Sequence, residues 1–328
     1  MTPDLPTIED VRAAAERITG HAVRTPLLES PRLNEQVGGR LLVKAESLQK
    51  VAAFKFRGAF NRISRLTEEE KRAGVLAFSS GNHAQAVALA ARMAGVSAVI
   101  VMPEDAPAMK LTNTREYGAE VVLYDRYTQD REAVGMAVAE ERGMVVVPPF
   151  DHPDIIAGQG TLGLEVIEQA AELGATLDTF VVPISGGGLS AGCMLALEAD
   201  SPGTRRVAVE PDDFDDTRRS IEAGERLRND PDARSICDAV QTETPGRLTW
   251  PINSRLLHEV LTVSDDEALH AMATAMVELK VVVEPGAAIA LAAVLAGKVP
   301  TEGGLTTAVV CSGGNADPAM LIRALERL

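Results

Sequence analysis

Apolar positions alternate between two patterns along much of the chain. Short continuous runs at Val75–Ser79, Ser97–Met102 and Glu120–Tyr124 predict buried strands. Between them, Asn82–Met93 and Asp130–Glu141 repeat their apolar positions at helical spacing, which predicts helices. Helices of roughly 10–15 residues that separate short apolar strands are typical of parallel βαβ units. This region is therefore predicted to form a parallel sheet.

The same alternation continues on both sides of this region. Further strands are predicted at Leu41–Glu46, Met144–Pro148, Thr179–Ile184, Arg206–Glu210, Glu259–Val263 and Leu305–Cys311. Further helices are predicted at Thr7–Ile18, Pro107–Tyr117, Gly160–Ala171, Leu189–Leu197, Ser264–Leu279, Gly286–Leu295 and Pro318–Arg327. Thr7 and Ser264 begin capping-box patterns, whereas the polar stretch between Pro211 and Pro251 predicts no element. We expect a three-layer α/β protein with two mainly parallel, twisted sheets.

Composition and charge exclude several classes of protein. The 328 residues are 46% hydrophobic and 24% charged, which supports a sizeable core and excludes an intrinsically disordered chain. The net charge is −15, and no basic cluster offers the face that nucleic acid requires. No window approaches the roughly 18 consecutive apolar residues of a membrane span. Three scattered cysteines cannot form a disulfide framework, so a reducing, cytoplasmic location is predicted.

Two glycine-containing turns carry candidate anion sites, because ligands of α/β proteins bind at the carboxyl ends of strands. Ser79-Ser80-Gly81-Asn82-His83 combines small residues with a helix start whose N–H groups favour an anion. Ser185-Gly186-Gly187-Gly188-Leu189 supplies N–H donors suited to phosphate. The second turn matches neither the dinucleotide pattern nor the nucleotide-triphosphate loop. Ordinary tight or flexible turns are the simpler interpretation of each turn taken alone.

Two further turns carry candidate catalytic groups. Cys311-Ser312-Gly313-Gly314-Asn315 places the Ser312 hydroxyl at the end of a buried strand. Ala53-Phe54-Lys55-Phe56-Arg57-Gly58-Ala59 holds a lysine among apolar and small residues. Desolvation there can lower the pKa of Lys55 and make its amine nucleophilic. A helix-capping serine and a surface lysine with a buried stem are the simpler alternatives.

Together and in this order, the four turns resemble those of the fold type II family of pyridoxal-phosphate enzymes. Within that family the chain resembles the serine/threonine dehydratase and serine racemase branch, from about Thr25-Pro26-Leu27 to Asn315. Supporting stretches are Glu46-Ser47-Leu48-Gln49-Lys50, Ala157-Gly158-Gln159-Gly160-Thr161, Val209-Glu210-Pro211 and Val283-Glu284-Pro285-Gly286-Ala287. The family fold, that of the tryptophan synthase β subunit, implies a large cofactor-binding domain (1–66 and 152–328) and a small inserted domain (67–151).

The resemblance assigns a role to each turn. Lys55 is expected to bind the cofactor aldehyde as a Schiff base and to take the substrate α-proton, and Ser80 to act on the opposite face in a racemase. The residues expected to bind pyridoxal 5'-phosphate are Phe54, Lys55, Asn82, Ser185, Gly186, Gly187, Gly188, Leu189, Glu284 and Ser312. The residues expected to hold the substrate carboxylate are Ser79, Ser80, Gly81, Asn82 and His83. A neutral Ser312 beside the ring nitrogen suits elimination over transamination.

Three positions depart from the family pattern. Val51-Ala52-Ala53 stands where the family usually has Thr-Gly-Ser or Thr-Gly-Ala, so the loop is expected to be stiffer and less polar. Ser185 replaces the usual first glycine of the phosphate turn, and its hydroxyl is expected to add a donor. Asp238-Ala239 stands where relatives often have Asp-Gly, which predicts a tighter space beside the ring.

The acidic loop from Glu210 to Asp216 resembles the divalent-cation site of the same family. Glu210 and Asp216 are expected to supply carboxylates, and Phe214 a backbone carbonyl. Hard oxygen ligands favour Mg²⁺ or Ca²⁺. A solvated acidic loop is the simpler interpretation of the same residues.

The activity implied by the resemblance is a β-elimination. A β-hydroxy amino acid of the L-serine or L-threonine type would lose water and then ammonia, leaving a 2-keto acid. One alternative is a serine racemase. Another is a 3-hydroxyaspartate dehydratase, which needs a further cation such as Arg126 or Arg131, although surface charge is the simpler interpretation of both. The absence of a Gly-x-Gly-x-x-Gly motif argues against a dinucleotide-binding oxidoreductase, and Lys55 argues against a non-catalytic binding module on the same fold. A homodimer is expected, with no nucleic-acid or membrane partner.

Overall fold

Two sheets organise the chain. The computed structural model describes residues 5–79, 81–106 and 108–328, apart from the side chains of 108–110. Its strands are β1 (Leu27–Glu29), β2 (Arg40–Ala45), β3 (Val75–Phe78), β4 (Ala98–Pro103), β5 (Glu120–Tyr124), β6 (Val145–Val146), β7 (Thr179–Pro183), β8 (Arg205–Pro211), β9 (Glu259–Val263) and β10 (Thr306–Cys311). The larger sheet has the order β1-β2-β10-β7-β8-β9 and the smaller one β5-β4-β3-β6. Every neighbouring pair is parallel except β1 with β2.

Helices separate most of these strands. They are α1 (Ile8–Ile18), α2 (Pro31–Val37), α3 (Lys55–Ser64), α4 (Glu68–Ala73), α5 (Asn82–Ala94), α6 (Ala108–Glu116), α7 (Arg131–Arg142), α8 (Pro153–Glu172), α9 (Gly188–Asp200), α10 (Asp216–Ala223), α11 (Thr249–Leu256), α12 (Asp265–Thr274), α13 (Pro285–Leu295) and α14 (Pro318–Leu325). The capping boxes predicted at Thr7 and Ser264 begin α1 and α12. None of the helices described combines the length and apolar character needed to cross a membrane.

Alternate residues of the larger sheet face different helix layers. Phe180 and Val182 of β7 pack with apolar residues of α1, α8 and α9. Val181, between them, packs with those of α12 and α13 on the other face. Because side chains alternate across a strand, both faces of the sheet are buried. The predicted three-layer α/β fold is confirmed.

The smaller sheet occupies the middle of the chain. Its strands β3–β6 follow one another between Val75 and Val146, while the larger sheet takes strands from both sides of that segment. Phe56 and Ile63 of α3 pack against the core of the smaller sheet. The helix that begins with Lys55 therefore joins the two sheets. The domain limits at residues 67 and 151 stay a prediction.

Several elements differ from the sequence prediction. The elements β1, α2, α3 and α4 were not predicted, and α10 and α11 lie in the polar stretch to which no element was assigned. Both helices of that stretch have only eight residues, and Pro251 sits in the first turn of α11, where the missing N–H is tolerated. Helix α8 begins at Pro153 rather than Gly160, because low-propensity glycines obscured its first half. Those glycines allow close packing, since a Cβ on Gly160 would lie 2.7 Å from the Gly192 carbonyl oxygen.

A buried ion network anchors α3 to the larger sheet. Arg57 is fully buried and donates to both oxygens of Glu46 at 2.8 Å and to Glu165 at 2.6 and 2.8 Å. Lys44 of β2 donates to the same Glu165 at 2.6 Å and to the Thr25 carbonyl at 2.8 Å. Every charge in this network has an opposite partner, which a buried charge requires. The network fixes the helix that starts with Lys55.

Substitution of Arg57 tests this anchor. Arg57→Ala leaves Glu46 buried without its partner, so we expect a loss of about 3–5 kcal/mol in the free energy of unfolding, measured by urea titration. The control is Arg24→Ala, because Arg24 binds Glu172 at 2.7 Å on the exposed surface. That variant should lose less than about 1 kcal/mol. Equal losses in the two variants would contradict the assigned role of Arg57.

Candidate active site

Lys55 begins α3 with its amine in a desolvated position. The Nζ donates a hydrogen bond to the Pro149 carbonyl at 2.8 Å and lies 5.1 Å from the ring centroid of Phe54. Burial lowers the pKa of Lys55 to about 8, while the negative charge of Glu284 opposes that shift. A larger fraction of this amine is neutral near pH 8 than in an exposed lysine. The environment is that of a nucleophile or base rather than of a surface lysine.

The loop before Lys55 is tied to the turn that follows β10. Phe54 N donates to the Ser312 carbonyl at 3.0 Å, and Gly314 N donates to the Ala52 carbonyl at 2.8 Å. Val51 and Ala52 have φ values of 54° and 52°. This left-handed conformation costs residues other than glycine roughly 1–2 kcal/mol each. Ala52 stands where the family usually has glycine, so this departure places backbone strain three residues before the lysine.

The turn after β3 brings a side-chain amide and a helix start to the site. Asn82 is the first residue of α5, and its Nδ2 donates to Glu284 Oε1 at 2.5 Å. Gly81 N donates to Ser79 Oγ at 3.2 Å. The first-turn N–H groups of a helix favour an anion, so this turn is suited to a carboxylate. Ser80, the other predicted catalytic residue, lies outside the described residues.

The side chain of His83 does not carry a charge in this site. It is buried, and its Nε2 lies 2.8 Å from the Val147 carbonyl. Because a carbonyl only accepts, the Nε2 carries the proton and donates it there. Burial and the positive charge of Lys55 lower the pKa of His83 to about 3. The side chain is neutral at physiological pH, so only its backbone N–H is left for the predicted contact with a carboxylate.

The glycine turn after β7 presents its N–H groups on one side. Its carbonyls face the protein, because Gly186 O accepts from Thr249 Oγ1 at 2.6 Å and Gly187 O from Asn253 Nδ2 at 3.1 Å. The N–H groups of Gly186, Gly187 and Gly188 have no acceptor among the described residues. A Cβ on Gly186 would lie 2.5 Å from the Phe150 ring. The turn therefore fits a phosphate, and it requires glycine for packing as well.

The two predicted serines have different surroundings. Ser185 Oγ donates to Thr242 Oγ1 at 2.6 Å and accepts from Thr242 N at 3.1 Å. Its single proton is used there, so the expected extra donor for a phosphate is engaged within the protein. Ser312 is buried, and its Oγ forms no hydrogen bond with the described residues. That hydroxyl is available to a ligand.

Two carboxyl groups meet at the end of β8. Glu210 accepts from Thr217 N and Arg218 N, both at 3.0 Å, at the start of α10. Asp216 accepts from Asn229 Nδ2 at 2.7 Å, but its buried Oδ2 has no hydrogen-bond partner among the described residues. Burial and the neighbouring Asp216 raise the pKa of Glu210 to about 8, and burial raises that of Asp216 to about 7. No cluster of three or more metal-ligating His, Cys, Asp or Glu side chains occurs among the described residues.

The four predicted turns converge around Lys55. Its amine binds the carbonyl of Pro149, and the next residue, Phe150, packs against the glycine turn. Asn82 and Glu284 meet beside Gly313, where an added Cβ would lie 2.3 Å from Glu284 Oε1. The donor set suits pyridoxal 5'-phosphate, because it offers an amine for the aldehyde, N–H groups for the phosphate and the Ser312 hydroxyl for the ring. No sequence motif marks the supporting residues, which were therefore not predicted: Pro149, Phe150, Thr242, Thr249 and Asn253.

Comparisons with known proteins agree with this geometry. A family model described as "Pyridoxal-phosphate dependent enzyme" matches residues 18–313, which include Lys55, Asn82, the glycine turn and Ser312. The L-threo-3-hydroxyaspartate ammonia-lyase of Saccharomyces cerevisiae is 44% identical over 95% of this chain and 94% of that protein. The serine racemase of Schizosaccharomyces pombe is 40% identical over 95% of each chain. The crystal structure of a threonine deaminase from T.th. is 45% identical, with a TM-score of 0.89 over 95% of this chain and 99% of that one.

Proposed function

The chain belongs to the family of pyridoxal-phosphate-dependent enzymes, and we propose that it is an ammonia-lyase whose main substrate is a 3-hydroxyaspartate. The coarser activity, elimination of water from a β-hydroxy amino acid, is common to the ammonia-lyase and threonine deaminase relatives. The observation that carries the ammonia-lyase activity is the desolvated amine of Lys55 at the meeting point of four turns.

The protein groups supply proton transfer and anion binding. When bound, pyridoxal phosphate withdraws electrons from the α-carbon of an attached amino acid and so makes the α-proton easier to remove. Lys55 Nζ, with its lowered pKa, is the base that accepts this proton. The N–H groups at the start of α5 hold the α-carboxylate, and those of the glycine turn hold the phosphate. Loss of the β-hydroxyl and hydrolysis of the product then give a 2-keto acid and ammonia.

A substrate panel tests the activity and ranks the alternatives. The panel contains L-serine, L-threonine and both diastereomers of 3-hydroxyaspartate. We expect ammonia release from 3-hydroxyaspartate to exceed that from L-serine and L-threonine. Lys55→Ala should lose turnover with every substrate, because it removes the base. Chiral chromatography of the L-serine reaction measures racemisation in the same samples. Full activity of Lys55→Ala would refute the mechanism, and faster formation of D-serine than of pyruvate would make the enzyme a racemase.

Arg131 is the group that favours a substrate with a second carboxylate. It is the first residue of α7, and its guanidinium carbon lies 5.8 Å from the ring centroid of Phe78, the residue before Ser79. Among the described residues the carboxylate nearest to it is that of Glu132, 3.9 Å away, and the Arg131 side chain is half exposed. Arg126, the other predicted candidate, is bound to Asp105 at 2.7 Å. Arg131 thus has the weaker ion pair and lies beside the turn suited to the α-carboxylate.

Substitution of the two arginines separates substrate binding from surface charge. Arg131→Met should lower kcat/KM for 3-hydroxyaspartate about 10- to 100-fold, as expected for the loss of a hydrogen bond to a charged group. Its activity on L-serine should change less than about threefold, because that substrate has no second carboxylate. Arg126→Met is the matched control and should leave both values near those of the wild type. Equal losses on both substrates in Arg131→Met would reject the specific role.

A divalent cation is the second proposed ligand. Glu210, Asp216 and the Phe214 carbonyl would hold Mg²⁺ or Ca²⁺, since these ions prefer hard oxygen ligands. Support comes from the buried Oδ2 of Asp216, which has no hydrogen-bond partner among the described residues. A cation would compensate both buried carboxylates, which otherwise repel each other.

Thermal unfolding with added cations tests this site. We expect MgCl₂ or CaCl₂ to raise Tm in the wild type, because a ligand that binds only the folded state stabilises it. Asp216→Asn should abolish that increase. Asp213→Asn, which alters an exposed carboxylate of the same loop, should retain it. An equal response of all three proteins would mean that the cations act elsewhere.

We propose a homodimer, on the basis of the family resemblance alone. We propose a cytoplasmic location because Cys193, Cys237 and Cys311 are all free and buried, as in proteins of reducing compartments.

A further inference from the structure

Asn315 joins two parts of the active site that are distant in sequence. It ends the turn after β10, and its Nδ2 donates to the Val51 carbonyl at 2.8 Å and to Asn82 Oδ1 at 2.7 Å. Asn82 in turn donates from Nδ2 to Glu284 Oε1 at 2.5 Å. The three side chains form one continuous relay, from the loop before Lys55 to the carboxylate at the start of α13. None of the roles assigned above involves Asn315.

The direction of this relay is fixed by chemistry. A side-chain amide can be turned over without changing its shape, but the Val51 carbonyl can only accept. The Asn315 atom that faces it is therefore the nitrogen. The same nitrogen faces Asn82, so that the opposing atom of Asn82 is its oxygen. The nitrogen of Asn82 then faces the Glu284 carboxylate, which accepts when ionised, so both ends of the relay agree.

The relay also holds strained backbone. Val51 is β-branched and has a φ of 54°, a conformation that such residues avoid. Its carbonyl accepts from Asn315, and the carbonyl of the next residue, Ala52, accepts from Gly314 N. Both bonds come from one turn, and both stabilise the left-handed conformation of the loop. Loss of Asn315 removes one of these two bonds.

We propose that Asn315 is a positioning residue that fixes which end of the Asn82 amide faces the cofactor and holds the strained loop before Lys55. The first half rests on the proposed function, in which Asn82 donates a hydrogen bond to the hydroxyl of the cofactor ring, as the family resemblance implies. Without Asn315, Glu284 is the only described residue that orients the Asn82 amide, and each amide that turns over presents an oxygen where the relay presents a nitrogen. A donor stabilises an ionised ring oxygen and an acceptor does not. The ionisation of the bound ring hydroxyl therefore reports the orientation of Asn82.

Absorption spectra of the purified holoenzymes test the first half. The ratio of the two cofactor bands reports the ionised and neutral forms of the ring hydroxyl. Asn315→Ser should shift this ratio towards the neutral form and weaken cofactor binding by about 2- to 10-fold, as expected for one lost hydrogen bond. The control is Asn34→Ser, because Asn34 donates to Glu29 and accepts from Leu41 N, both at 2.8 Å, between α2 and β2. Its spectrum should match that of the wild type.

A double variant separates orientation from strain. Ala52→Gly relieves part of the loop strain, so Ala52→Gly/Asn315→Ser should unfold at a higher temperature than Asn315→Ser and still show the altered band ratio. It also provides a folded protein should the single variant be unstable. A wild-type spectrum in either folded variant, the single or the double, would overturn the proposal. Absence of any cofactor band in the wild type would instead refute the proposed function.

Discussion

The active site depends on the contact between the loop before α3 and the turn after β10. Strand β10 lies inside the larger sheet and pairs with β2 on one side and β7 on the other. Its turn is therefore held by the sheet, and the lysine loop is held by the turn through the bond from Phe54 N to the Ser312 carbonyl. Glu284 N donates to the neighbouring Gly313 carbonyl at 3.1 Å. One strand end thus positions Lys55, proposed as the base, Ser312, proposed as the ring-nitrogen partner, and the buried Glu284 carboxylate.

Local dipoles, not net charge, make this site suited to anions. The chain carries a net charge of −15, which by itself repels both a phosphate and a carboxylate substrate. The opposing groups are backbone N–H donors at the starts of α5 and α9, which act at short range. Burial also reduces the positive charge in the site, because it keeps the His83 side chain neutral and favours the neutral form of Lys55 by lowering its pKa. In the proposed function, a second carboxylate would be recognised by one local charge, Arg131, and not by a general positive field.

Motifs made the turns predictable, but not the contacts between them. The positions of Lys55, Asn82, the glycine turn and Ser312 followed from small residues between strands and helices, because that pattern is local. The use of the Ser185 hydroxyl by Thr242 depends on a segment 57 residues away. Helices α10 and α11 were missed since their short, polar sequences are stabilised by tertiary contacts rather than by propensity. The role of Asn315 likewise appears only when three distant segments meet.

The residues that replace the usual threonine and glycine of the lysine loop change its energetics in two opposite ways. In the folded state, Val51 and Ala52 in the left-handed conformation cost roughly 1–2 kcal/mol each, and the usual glycine would avoid the cost of Ala52. In the unfolded state, Ala52 has less freedom to lose than glycine, which offsets part of that cost. The bonds from Gly314 and Asn315 offset more. The result is a loop with fewer alternative conformations, which the turn after β10 holds in place before Lys55.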